Sequence, residues 1–279
     1  MILTKYTGTS YNVADLKEAV YEGEGELTEI ADYAFKEHRE LTEVNLPENI
    51  EEVGNNAFYN CRNLLKFTFF DKAESFGDGA FRNCTKLDYI GLNSSGGSLR
   101  GLKEIILAMS KGVTVSVYGN ELFFPHFQPE FQDDVGAKIV AEIMHGAGMN
   151  YRECIGREGI DYMKYDTQFT IQKYSMELDE AVAVCKTRLM YPIELRDEKR
   201  EEYLEFLINN KKALFDEAVV YKDSSKVLAY IHTGIFATKE DVDEAMDFFC
   251  EKDFAEGVNI MIDYRNKTFK KTSIMDMEI

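Results

Sequence analysis

The chain has 279 residues, enough for one large or two ordinary domains with real cores, and its 45% apolar and 29% charged content is that of a folding globular protein. Its 50 acidic residues outnumber its 32 basic ones for a formal charge of −18, with acids in excess on both sides of Tyr118. Nucleic acid and anionic membrane surfaces require Lys and Arg stripes to neutralise phosphate, and no window approaches 18 uninterrupted apolar residues, so nucleic-acid partners and membrane insertion are both excluded as expectations.

In chain order, the first segment, MILTKYTGTSYNVADLKEA, shows no basic leader followed by an apolar run and a small-residue cleavage site. Within it DLKEAVYEG reads as a degenerate first repeat unit. The repeat is plain from residue 27 to 92, because a shift of 23 residues superimposes IADYAFKEHRELTEVNL, VGNNAFYNCRNLLKFTF and FGDGAFRNCTKLDYIGL. Ala34, Ala57 and Ala80 share one column, Phe35, Phe58 and Phe81 the next, then His38, Cys61 and Cys84, then Leu41, Leu64 and Leu87. Val44, Phe67 and Ile90 follow, and after them Leu46, Phe69 and Leu92.

A period of 20 to 29 residues carrying LxxLxL marks a solenoid of stacked strand units, none of which buries its apolar side alone. Stacking then makes internal ladders of the Phe column and of the strand aliphatics. The small Ala before each Phe suits a tight turn. A fourth strand is expected at Val113 and Val115 in GVTVSVY, preceded by LRGLKEIILAMSKG, whose Leu102, Ile105, Ile106 and Met109 fall at helical spacing. Residues 98–118 thus read as a helix and strand that close the stack.

The frame IxxxAFxxCxxLxxIxLPxxIxxVGxxAFxxC, running here from Ile30 to Cys61, resembles the BspA-like bacterial leucine-rich repeats. The chain departs from it at His38, which stands in place of Cys, and at Phe69 and Phe70, which replace the LP of Leu46 and Pro47. The resemblance implies a repeat-built, non-catalytic binding protein, in many members displayed at a cell surface.

Beyond the repeat domain (1–118), residues 119–132 hold Phe123, Phe124, Phe127 and Phe131 around Pro125 and Pro129, two of four prolines. This segment reads as an aromatic linker, either a staple between domains or an exposed hot spot. Residues 133–279 read as an all-helical domain, with apolar residues at three- and four-residue spacing in VGAKIVAEIM, LDEAVAVCKTRLMY, REEYLEFLI and VDEAMDFFC. Pro192 is expected to end one helix, Ser224 or Ser225 to cap the next, Gly234 to close it, and Thr238 with Asp241 to form a capping box. DFAEGVNIMIDYRNK makes a last amphipathic helix. DEA recurs at Asp179, Asp216 and Asp243, which fits a looser ankyrin- or HEAT-type helical repeat and equally fits chance, since acids favour helix starts.

Motifs that carry chemistry are sparse. The nucleophile elbow, Walker loop, GxGxxG and HExxH are absent. Glu142 and His145 make one ExxH, half of a di-iron motif without its second half. Cys154 with His145 or His126 is a nominal thiolate pair that nothing marks as activated. The runs DEKREE and KEDVDE lack the alternating ligands and glycine of a calcium loop and read as solvated helix faces. No cofactor and no metal are expected. The five cysteines, Cys61, Cys84, Cys154, Cys185 and Cys250, are odd in number without a CxxC, which suits reduced thiols in a cytoplasm; a removed leader would instead imply the surface or exterior.

The sequence therefore predicts an α/β repeat solenoid, a short leucine-rich-repeat sheet, followed by an all-α domain. Its function is expected to be non-catalytic binding of a protein partner through the sheet face. The residues between the buried columns are Thr42, Glu43 and Asn45, then Leu65, Lys66 and Thr68, then Asp88, Tyr89 and Gly91. Leu65 and Tyr89 are the expected anchors. The competing expectation is a hydrolase or modifying enzyme whose site lies in the helical part, near His145, Cys154 or His232, with the repeats recruiting substrate.

Overall fold

The computed structural model describes residues 1–8, 12–13, 19–133 and 140–269, with the backbone alone for residues 12, 13, 19, 129–133 and 140–145. It divides into two compact units, Met1–Val184 and Cys185–Ile279. Residues 15–18 of the expected degenerate repeat and 135–139 of VGAKIVAEIM lie outside the described residues.

The first unit opens with β1 (Ile2–Tyr6), β2 (Asn12–Val13), β3 (Ala19–Glu22), β4 (Glu29–Ile30), β5 (Glu43–Asn45), β6 (Glu52–Val53), β7 (Lys66–Phe70), β8 (Ser75–Phe76) and β9 (Tyr89–Asn93). Helix α1 (Arg100–Ala108) follows, then β10 (Val113–Val117), β11 (Asn120–Phe124), β12 (Gln128–Asp133), β13 (Val140–His145), α2 (Gly148–Arg152), α3 (Tyr162–Gln172) and the start of α4 (Leu178–Met190). Its core is a β-solenoid of about five turns. Two ladders wind together: a long-strand sheet ordered β11-β10-β9-β7-β5-β2, and a short-strand sheet ordered β3-β1-β4-β6-β8.

Register reproduces the sequence period. Glu43 pairs with Lys66 and Lys66 with Tyr89, all parallel, while Glu29 pairs with Glu52 and Glu52 with Ser75, each step being 23 residues. Two-residue strands are too short to show alternation. Their signal is instead the column Ile30, Val53 and Phe76 that begins each aligned unit.

Between the sheets the Phe column forms a ladder of stacked rings. Phe35 and Phe58 lie 4.8 Å apart at 17°, and Phe58 and Phe81 lie 5.3 Å apart at 2°. Tyr6 extends the stack, its ring 5.0 Å from Phe35. Each unit turns at two left-handed residues: Tyr33, Asn56 and Gly79 in one column (φ 58°, 53° and 64°), and Glu37, Asn60 and Asn83 in another (65°, 63° and 64°). Asn and Gly tolerate that region best, which accounts for their prevalence there.

The closing elements form as expected, with Leu102, Ile105 and Ile106 of α1 buried and Val113 and Val115 buried in β10. The strand signal does not stop at Tyr118. β11 pairs antiparallel with β10, so Asn120–Phe124 belongs to the sheet edge and is not free linker. Phe124 and Phe127 are buried. The expectation of helix from residue 133 is also corrected, because β12 and β13 pair as an antiparallel hairpin and VAEIMH is strand. The β-branched Val140 and Ile143 favour that outcome over the helical spacing.

The second unit contains the rest of α4 and then α5 (Asp197–Asn209), α6 (Lys211–Val220), α7 (Ser224–Thr233), α8 (Lys239–Glu251) and α9 (Ala255–Thr268). Pro192 follows the end of α4, Gly234 ends α7 at φ 88°, and Thr238 and Asp241 make the capping box. The cap of α7 is Asp223, which accepts from the Ser225 amide, in place of either serine. Its carboxylate is the stronger acceptor. Phe215 anchors the core among Phe236, Phe248 and Phe249. Asp179 and Asp243 stand near helix starts, whereas Asp216 sits in the middle of α6.

Candidate protein-binding face

A parallel ladder fixes its outward side chains in columns one strand apart, about 4.8 Å, on a backbone with almost no freedom. The long-strand sheet buries Val44, Phe67, Phe69, Ile90, Leu92, Val113 and Val115 inward. Strand alternation therefore turns Glu43 and Asn45, Lys66 and Thr68, and Tyr89 and Gly91 to the other side.

The structure brings these residues together. Lys66 Nζ lies 3.7 Å from Glu43 Oε1 and 5.0 Å from the centre of the Tyr89 ring, so the row Glu43, Lys66, Tyr89 is joined by an ion pair and a cation–π contact. Thr42, Leu65 and Asp88 line the entry to the strands, where the Leu65 amide donates to Thr42 O and the Asp88 amide to Leu65 O. Leu65 is 42% exposed. Gly91, expected on the exposed face, is instead buried beneath the Thr68 and Tyr89 side chains, where a Cβ would stand 3.0 Å from Thr68 Oγ1. The face continues past the expected residues: Thr114 pairs with Tyr89 on one side and with Phe123 on the other, and Ser116 pairs with Gly91 and Glu121. Phe123, expected in the linker, lies on a strand that follows a tight turn at Tyr118 and Gly119 instead of a repeat unit.

The His and Cys column has one task. Cys61 Sγ donates to Phe35 O at 3.0 Å and Cys84 Sγ to Phe58 O at 3.1 Å, while His38 Nε2 lies 3.0 Å from Tyr6 O. His38 thus replaces the missing thiol in binding the preceding unit's carbonyl, with Glu40 on its Nδ1 at 2.5 Å. Burial pushes the Cys61 thiol well above its ordinary range and the Cys84 thiol up to about 12.

Two buried ionised groups hold the closing elements, and neither stands out in the sequence. Asp71, 1% exposed, accepts from the Ser95 amide (2.7 Å) and hydroxyl (2.6 Å), the Gly97 amide (3.0 Å) and the Tyr118 hydroxyl (2.9 Å). Burial works to raise its pKa, yet these donors outweigh it and hold the carboxyl below its ordinary value. Arg152, fully buried, donates to the carbonyls of Ile106, Pro125, Gly148, Met109 and Lys111 and packs on the Phe127 ring. Burial lowers its pKa to about 10, against the favourable charge of Glu180, so it stays cationic at neutral pH.

Of the catalytic candidates, Cys154 is buried, donates to Asn150 O, and has its thiol pushed up to about 12 by burial, the opposite of an activated nucleophile. His126 is paired with Glu180, whose carboxylate also receives the His126 amide, each at 2.7 Å. His232 is exposed on α7. The side chains of Glu142 and His145 lie outside the described residues. Among the described residues no His, Cys, Asp or Glu cluster is arranged to hold a metal ion, and no helix is long and apolar enough to cross a membrane.

A family model for the BspA type leucine rich repeat region matches residues 11–107 in 6 copies. No curated protein matches the chain. Among solved structures it is similar to the T. pallidum leucine rich repeat protein TpLRR at 20% identity, over 33% of this chain and 63% of that one, with a TM-score of 0.21.

Proposed function

Residues 11–107 are a BspA-type leucine-rich-repeat region, and from that premise we propose that the chain is a non-catalytic scaffold that binds a protein partner through the outward face of the long-strand sheet. Repeats of this type serve in general as protein-interaction scaffolds. The observation that carries the reading is the row Glu43, Lys66, Tyr89, flanked by exposed Leu65, held at fixed spacing on paired parallel strands. Such a surface presents an aromatic, an aliphatic and both charge signs without ordering cost, and its Tyr89 is of a type that interface anchors favour.

The test is affinity capture from native lysate with the full chain and with the double substitution Tyr89→Ala and Leu65→Ser. The reading predicts an unchanged melting temperature, within about 1 kcal/mol of stability for two surface positions, and loss of the partner that the parent chain retains. Equal capture by both proteins would move the binding surface elsewhere.

A further inference from the structure

The solenoid closes unevenly at α1. On the short-strand side the helix substitutes for the missing strand, since Glu104 Oε2 accepts the Phe76 amide at 3.0 Å. On the long-strand side β10 and β11 continue the sheet. The turn column between them has no such successor.

In that column every unit donates to the next. The amides of Tyr33, Phe35 and Glu37 reach Asn55, Ala57 and Tyr59 O, and those of Asn56, Phe58 and Asn60 reach Asp78, Ala80 and Arg82 O. The corresponding amides of Gly79, Phe81 and Asn83 meet no acceptor among the described residues. They border a groove of about 580 Å³ between Phe81, Arg82 and Leu87 on one wall and Ala108, Met109 and Lys111 on the other. Phe81 is only partly covered there, whereas Phe35 and Phe58 are fully enclosed. No carboxylate lines the groove, although the chain carries 50 acidic residues against 32 basic ones. The Lys111 ammonium is anchored on Thr85 O at 3.3 Å, with Asp88 as the opposite charge acting on it.

We propose that this groove docks an acidic, Phe-bearing peptide segment of a partner protein, which completes the open end of the turn column as a further rung. Its carbonyls at alternate residues take the Gly79, Phe81 and Asn83 amides, its ring stacks on Phe81 as Phe81 stacks on Phe58, and its carboxylates meet Arg82 and Lys111. Gly79 and Phe81 are partly exposed and Asn83 is exposed, so these amides are open to the groove, and a segment that supplies three acceptors together satisfies them as a neighbouring unit would. This site is separate from the sheet face and does not depend on that reading.

The probe is the hexapeptide acetyl-Glu-Asp-Ala-Phe-Asp-Glu-amide, titrated into the ¹⁵N-labelled full chain by NMR. The proposal predicts shifts concentrated at the Gly79, Phe81 and Asn83 amides, and none with the peptide carrying Lys at its four acidic positions or Ser in place of Phe. Arg82→Glu and Ala108→Glu, both at exposed positions, should each weaken binding at least tenfold without altering the melting temperature. Shifts absent from these three amides, or binding undiminished by both substitutions, would overturn it.

Discussion

Replacing Phe58 by Ala removes the middle ring of the internal ladder, and the structure sets the size of the effect. Phe58 is 0% exposed and has Phe35 at 4.8 Å on one face, Phe81 at 5.3 Å on the other and Phe67 edge-on at 5.3 Å. Burying Phe and then truncating it to Ala costs about 3–5 kcal/mol, and aromatic pairs add roughly 0.5–1.5 kcal/mol each beyond area. Three partners and rigid walls on both sides place this site near the top, at about 4–5 kcal/mol. Phe81→Ala, where one ring face is open to the groove, should cost about half as much. Because the chain has two compact units, a single melting curve mixes them, so the readout is amide hydrogen exchange by mass spectrometry on peptides from β5 through β7. Each 1.4 kcal/mol is tenfold, so Phe58→Ala should speed globally limited exchange there by about 1,000-fold. An effect below about 1 kcal/mol, or one equal to that of Phe81→Ala, would refute the ladder as a source of stability.

Other outcomes follow from the same geometry. Cys61 and Cys84 should resist a thiol reagent at pH 8 in the native protein and react on denaturation, while exposed Cys250 reacts at once; mass-mapped labelling checks this. Asp71→Ala should cost about 1–3 kcal/mol by removing the buried carboxylate that the Ser95, Gly97 and Tyr118 donors reach, measured by urea titration. Its carboxyl is held below the ordinary value, so its contribution is present above the unfolded pKa near 3.8 and disappears as pH falls through the lower folded value; the gap between parent and variant should be constant from pH 7 to about 5 and close below it. Arg152→Met should cost roughly 3–5 kcal/mol, because it leaves five carbonyls without their donor, and exchange should rise at the C-terminal end of α1.

The repeat was legible because periodicity is a global signal. Ala34, Phe35, Leu41 and their successors occupy equivalent positions in each unit, so the 23-residue shift exposes fold, register and core together. The outward positions of the long-strand sheet were legible from the same columns by strand alternation. Departures arose where the period ends. β11 and β12 sit in a segment whose two prolines and four phenylalanines belong to no repeat, and VAEIM, from Val140, closes a stretch of helical spacing although its hairpin partner selects strand. α3 went unnoticed since YMKYDTQFTIQ has little apolar asymmetry for a helix to display. Asp71 and Arg152 left no trace at all. Each is a single charged residue whose task is to satisfy backbone groups brought together only by the fold, and such groups have no signature in local sequence.

The claim that the long-strand sheet face holds the partner is tested most directly by photocrosslinking. Benzoylphenylalanine is placed at Tyr89 in the full chain, and in separate proteins at Ile171 of α3 and Leu228 of α7, which are 69% and 46% exposed and lie off the face. After irradiation with native lysate, the account predicts a discrete crosslinked partner at position 89 that Leu65→Ser diminishes, and none at the other two positions. Crosslinking at Ile171 or Leu228 with none at position 89 would contradict it.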